Sequence, residues 1–134
     1  MKKIALLITV CVILTTMGAF VFAAGERDKV PAVVYLSPDN DSTVDLTGKD
    51  SLTFRWSGNP MPGGGRDCYR FKLIKGFGYN SIMTEQVGQG IFSIEVPADK
   101  FEDGQTYSWY VQQRSSSIGA WSRFAAWSFK AVKK

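Results

Sequence analysis

Phe101-Glu102-Asp103-Gly104-Gln105-Thr106-Tyr107-Ser108-Trp109-Tyr110-Val111-Gln112-Gln113-Arg114 is the stretch that decides the fold. Tyr107, Trp109 and Val111 alternate with Ser108, Tyr110 and Gln112, the period of a strand with one buried face. Asp103-Gly104 marks a corner just upstream, and Tyr107 enters the strand at its start. The stretch names an architecture and leaves the chemistry open.

Working outward, the same punctuated pattern recurs along the chain, at the spacing expected of an all-β domain. Ala32 to Leu36 reads as a first strand behind Pro31, which is tolerated at a strand start. Ser37-Pro38-Asp39-Asn40-Asp41-Ser42 is a turn cluster whose Asx residues suit capping of their own backbone. Leu52, Phe54 and Trp56 share one face against Thr53 and Arg55. A long loop from Gly58 to Asp67 follows. Tyr69, Phe71 and Leu73 then point inward, with Arg70 and Lys72 outward. Gly76 to Asn80 is a turn, Ile82 to Val87 a short edge strand, and Phe92, Ile94 and Val96 another inward triplet stopped by Pro97. After the strand opened by Tyr107, Ser115 to Gly119 is a loop, and Trp127, Phe129 and Ala131 close the sheet. No segment has a helical period. The expectation is all-β, with about seven antiparallel strands in two sheets. Trp56, Tyr69, Tyr107, Trp109, Val111 and Phe129 are expected in its core.

Three of these strands together resemble the fibronectin type III family of immunoglobulin-like sandwiches. An apolar-x-apolar-x-Trp second strand is matched by Leu52, Phe54 and Trp56. A third strand opening on an inward tyrosine is matched by Tyr69, Phe71 and Leu73. The family's corner is matched by Phe101, Gly104, Tyr107, Trp109 and Val111. Asp103 stands where proline is common, and Trp109 where a smaller aliphatic residue is usual. The likeness runs from Pro31 to Val132. It implies a seven-stranded sandwich over residues 31–134, with the Tyr107 ring packed inward and its hydroxyl bonded to nearby backbone. It also implies a spacer, adhesive or protein-binding role, and no particular partner.

The first residues read as a targeting segment. Met1-Lys2-Lys3 is a positive start, Ile4 to Phe22 is almost wholly apolar, and Val21-Phe22-Ala23 offers a small-residue cleavage site. Residues 1–23 are therefore expected to be a signal peptide, and residues 24–30 a flexible lead-in. The chain would be exported, to the periplasm or outside the cell, with a bacterial source suggested by the Met-Lys-Lys start. An uncleaved leader approaches the ~20 apolar residues that span a bilayer and is the one route to a membrane. Cys11 lacks the tripeptide of a lipoprotein site. Cleavage leaves about 110 residues, enough for one domain with a single core. It also takes Lys2 and Lys3 from a formal charge of +4, leaving no footprint for nucleic acid. Cys68 is then the remaining cysteine, expected to be buried and inert, or else to bridge two chains.

The chain has no histidine, which removes the commonest general base and metal ligand together. Catalysis and a cofactor are not expected. Asp39, Asp41 and Asp45 fail the calcium-loop pattern, because Thr43 and Val44 occupy a ligand and the glycine position. They read as an Asx-rich turn. Gly63-Gly64-Gly65-Arg66 lacks the Lys-Ser/Thr of a phosphate loop and reads as a connection between strands. Asn40-Asp41-Ser42 matches a glycosylation acceptor.

Two surfaces remain as candidates. If the third, sixth and seventh strands share a sheet, Arg70, Lys72, Tyr110, Gln112, Arg114 and Lys130 present a common outward face. An exposed tyrosine framed by arginines is typical of interface anchors, and its positive charge suits an acidic protein or cell-surface partner. The alternative is an ordinary solvated sheet face. The second surface is aromatic: Phe77, Tyr79, Trp121 and Phe124, at one end of the sandwich, would stack on a carbohydrate or fold over the core.

Overall fold

The computed structural model describes residues 30–58, 67–115 and 118–134. The leader, residues 24–29 of the lead-in, Cys11 and the glycine run at 63–65 lie outside them. Among the described residues there are eight strands: β1 (Val34–Ser37), β2 (Ser42–Asp45), β3 (Ser51–Ser57), β4 (Asp67–Lys75), β5 (Ser81–Val87), β6 (Ser93–Pro97), β7 (Thr106–Ser115) and β8 (Trp127–Val132). A 3₁₀ turn, Ala98–Lys100, leads into the corner before β7.

The strands form two sheets, β1-β3-β6 and β2-β8-β7-β4-β5. Strands β3 and β6 pair in one layer while β4, β7 and β8 pair in the other, the arrangement of an immunoglobulin-like sandwich. The count and the pairing correct the expectation of seven antiparallel strands. The turn cluster 37–41 carries the chain from the first sheet to the edge of the second. The chain keeps its direction there and pairs in parallel with β8, Ser42 against Phe129 and Asp45 against Val132. Asp41 takes the left-handed conformation at this switch, with φ 59°, and donates its N–H to Ser128 O at 2.7 Å. Four residues alternating Ser-Thr-Val-Asp are too short and too polar to announce a strand. Val30, assigned to the lead-in, is buried.

The corner is built as the resemblance implied. The Tyr107 ring is buried, and its hydroxyl accepts the Glu102 N–H at 2.7 Å. Gly104, with φ 77°, makes the bend and donates to Ala131 O at 2.8 Å. Asp103 earns its place over proline by accepting the Lys133 N–H at 2.7 Å through its carboxylate. All six expected core residues are buried. In antibody domains the residue two places after the corner tyrosine is a cysteine that bridges the sheets. Trp109 stands there and meets Phe54 of the facing sheet edge-on, centroids 5.2 Å apart. Phe71 packs on Phe54 at 4.9 Å and Tyr35 on Trp109 at 4.8 Å. Aromatic pairs of this kind contribute about 0.5–1.5 kcal/mol beyond their burial, so the cluster ties the layers without a disulfide.

Candidate functional site

Outward positions of β4 and β7 face each other in register: Arg70 opposite Gln112, Lys72 opposite Tyr110, and Cys68 opposite Arg114. Lys130 lies a strand away on β8, opposite Thr106. The sheet thus assembles all six residues of the expected face. Two of them are not on the surface. Tyr110 is 8% exposed and Gln112 is 2% exposed.

The cause is the connection between β7 and β8. The two strands pair from Thr106 to Trp109 and then separate, and the returning chain crosses the outward face. It is fastened there by hydrogen bonds: Ser122 N–H to Gln113 O at 2.8 Å, Gln113 N–H to Ser122 Oγ at 3.0 Å, and Gln112 Nε2 to Ser122 O at 2.8 Å. Arg70 Nη2 donates to the remaining Gln112 oxygen at 2.7 Å, and its guanidinium lies 4.3 Å from the Trp121 ring centre. Arg114 lies over the same ring at 5.9 Å. Three residues after Trp121, Phe124 stacks flat on Tyr110, centroids 3.8 Å apart and planes 14° apart. The arginines frame a tryptophan instead of a tyrosine, and Tyr110 is the floor beneath Phe124.

The four aromatics expected at one end of the sandwich separate in the same way. Trp121 is half-buried beside Arg70, while Phe124 stays 47% exposed. Phe77 and Tyr79, in the β4–β5 turn, are 80% and 101% exposed. The turn itself is anchored: Gly76 N–H donates to Thr106 O at 2.8 Å, Ser108 Oγ to Gly76 O at 2.6 Å, and Lys75 N–H to Asn80 O at 3.0 Å. Phe77, Tyr79, Tyr110 and Phe124 line one groove of about 300 Å³ with Lys72 and Ile74. That volume is at the small end for ligand sites, room for about ten waters or a side chain or two. Two candidate surfaces of the sequence therefore meet in one place. Ile74 and Ala126 also line it; alternation alone puts Ile74 on this face, two residues after Lys72, whereas nothing in the sequence marks Ala126.

Arg70, Lys72, Arg114 and Lys130 make no ion pair among the described residues, where the one salt bridge joins Lys75 to Glu102 at 3.1 Å. Among the described side chains of β4, β5, β7 and β8, no carboxylate stands at an outward position: Glu85, though exposed, is opposite the inward Phe71. Carboxylates appear at the β2 margin. Asp41 Oδ1 accepts the Ser128 hydroxyl at 3.1 Å. Asp45 is held below the usual carboxylate range by hydrogen bonds from Thr47, side chain and backbone. These acids are turn and edge fixtures of the kind expected of an Asx-rich turn.

Cys68 was expected to be buried. It is half-exposed on the outward face, where Gln86 Nε2 points at its sulfur from 3.7 Å. The alternation explains this, since residue 68 shares its face with Arg70 and Lys72 and not with Tyr69. The Tyr35 hydroxyl, by contrast, is internal. It donates to Val111 O at 3.3 Å and accepts the Val111 N–H at 3.2 Å. Burial pushes its pKa up to about 12.

No protein-family model matches the chain, and no curated protein matches it. Among solved structures the chain is similar to murine CRIg, at 11% identity, over 78% of this chain and 99% of that one, with a TM-score of 0.45. A likeness this distant carries nothing about function, and the architecture rests on the topology and the corner described above.

Proposed function

We propose that the chain is an exported, non-catalytic module of the fibronectin type III-like kind. It makes protein contacts through the outward face of its five-stranded sheet, in a bacterial envelope or outside the cell. The observation that carries this is the pair Phe77 and Tyr79. Both rings stand in solvent on a hydrogen-bonded turn, beside a groove floored by a stacked Tyr110–Phe124 pair. Aromatic side chains on a fixed backbone lose little freedom on binding, and contiguous exposed apolar surface of this kind marks contact sites. The non-catalytic reading rests on the absence of histidine, and export on the pattern of residues 1–23.

A carbohydrate-binding module is the second reading, favoured by the gathering of Phe77, Tyr79 and Phe124 around one groove. It is weakened at Trp121, where Arg70 lies against the ring. One variant tests both. Phe77→Ser with Tyr79→Ser removes the rings without touching the core. The tagged full-length chain, expressed in a bacterial host that exports it, is crosslinked in native envelope extract and also applied to a glycan array. A protein captured by the wild type and lost with the variant supports the first reading. Reproducible sugar binding lost with the variant supports the second. Identical behaviour of the two proteins in both assays removes this face from consideration.

A further inference from the structure

The groove and the charges around it have different sources in the chain, and together they define the chemistry of a partner. We infer that the outward face seats an acidic protein segment, with an aliphatic or aromatic side chain in the groove and flanking carboxylates against Lys72 and its neighbours. The inference rests on the protein-contact reading above and names the partner's chemistry.

The apolar half comes from Ile74, Tyr110 and Phe124 as floor and wall, and from Phe77 and Tyr79 as rim. Lys72 is the one charged residue in the groove lining. It lies opposite Tyr110 on β7 and Thr84 on β5, with no carboxylate on either side. Arg70 is next along the face. Its hydrogen bond goes to the neutral Gln112 amide and its stacking to Trp121, so its positive charge is positioned and, among the described residues, not cancelled. Arg114 shares the same ring. Outward carboxylates appear at the β2 margin, Asp41 and Asp45, and Asp41 is engaged with Ser128. Cations of one sign beside an apolar seat, here the half-buried Lys72 and Arg70 and the exposed Arg114, attract a segment of the opposite sign and repel a basic one. A second copy of this chain is disfavoured by the same rule, because it would bring like charges face to face.

The test is selection of a random peptide library, displayed on phage, against the immobilised exported protein at about 50 mM salt, where exposed charges act over more than ~10 Å. The expected result is enrichment of peptides carrying aspartate or glutamate on both sides of an aromatic or large aliphatic residue. Synthetic versions should lose at least about tenfold in affinity with Lys72→Glu and weaken steadily as salt rises to 0.5 M. Phe77→Ser with Tyr79→Ser should abolish their binding. Each variant's thermal unfolding is measured alongside: Phe77 and Tyr79 stand in solvent and Lys72 is half-buried in the groove lining, outside the core, so substitution should leave the fold intact. Enriched peptides that lack acidic residues but are lost with Phe77→Ser and Tyr79→Ser would overturn the acidic chemistry and leave the contact surface standing. Peptides indifferent to every variant, or no enrichment over a blank surface, would overturn both.

Discussion

Replacing Tyr107 by phenylalanine isolates one hydrogen bond at the corner on which the architecture turns. The hydroxyl accepts the Glu102 N–H at 2.7 Å, while the ring packs edge-on against Phe101 at 5.0 Å and beside Phe129 at 5.9 Å. Phenylalanine keeps the ring and both contacts, so no cavity opens and the change is confined to an amide left without its acceptor. A net hydrogen bond contributes about 0.5–1.5 kcal/mol, and an amide stranded out of water costs about 1–3 kcal/mol. Glu102 is itself exposed, so water can reach the amide in part, and the expected loss is about 1–2 kcal/mol. In a domain of this size that lowers the Tm by roughly 4–8 °C. Urea unfolding followed by tryptophan fluorescence should show a lower midpoint and an unchanged slope, because Gly104 and Asp103 still hold the corner to β8 and its end. Tyr107→Ala, which also empties the ring site, should cost about 3–5 kcal/mol. A Tyr107→Phe protein as stable as wild type would refute the role given to the hydroxyl, and one as unstable as the alanine variant would mean the ring contacts had been misjudged.

Other substitutions probe the core and the face separately. Trp109→Ala removes the ring that meets Phe54, Phe71, Tyr35 and Trp127, and calorimetry should register a loss of about 3–5 kcal/mol. A Cβ added at Gly58 would run into the Tyr69 hydroxyl; Gly58→Ala should therefore destabilise by about 1–3 kcal/mol, and Gly58→Ala with Tyr69→Phe should recover part of it in the same denaturation assay. Arg70→Ala strands the buried Gln112 oxygen and uncovers Trp121, so stability should fall by about 1–3 kcal/mol while iodide quenching of tryptophan fluorescence rises. The Tyr35 phenol, with its pKa near 12 in the fold against 10.0 when unperturbed, keeps its proton where the unfolded chain has lost its own. Stability should be intact below pH 10 and decline as pH rises from there towards 12, a step that Tyr35→Phe removes.

The sequence made the fold legible wherever a strand had one apolar face long enough to show its period. Tyr69-x-Phe71-x-Leu73 and Tyr107-x-Trp109-x-Val111 did so, and the corner tyrosine even forecast its own hydrogen-bond partner as nearby backbone. β2 escaped because its four residues carry one half-buried apolar side chain, Val44, and its place is set by where the turn delivers the chain. The candidate face was legible to the level of parity. Alternation correctly put Arg70, Lys72, Tyr110, Gln112 and Arg114 on one side. It could not say what lies on top of that side, because the 118–126 segment has no period of its own and is held by specific bonds to Gln112 and Gln113. Cys68 shows the opposite failure: the general preference of free cysteine for burial conflicts with the local alternation, which puts residue 68 on the outward face.

The covering segment also changes what the two arginines are for. On an open sheet Arg70 and Arg114 would be free to meet a partner, and their loss would weaken binding by removing contacts. Here Arg70 bonds Gln112 and lies against Trp121, and both hold the chain that presents Phe124 over Tyr110. Arg70→Ala and Lys72→Ala should therefore behave differently in a binding assay although both delete one positive charge from the same strand. Lys72→Ala should raise Kd with no effect on thermal stability, since its head group makes no described bond. Arg70→Ala should lower stability and binding together, and Arg70→Lys should fail to rescue either, because an ammonium cannot both stack flat on the indole and reach the amide as the planar guanidinium does. If Arg70→Lys restores both, the guanidinium geometry is irrelevant and the face works by charge alone.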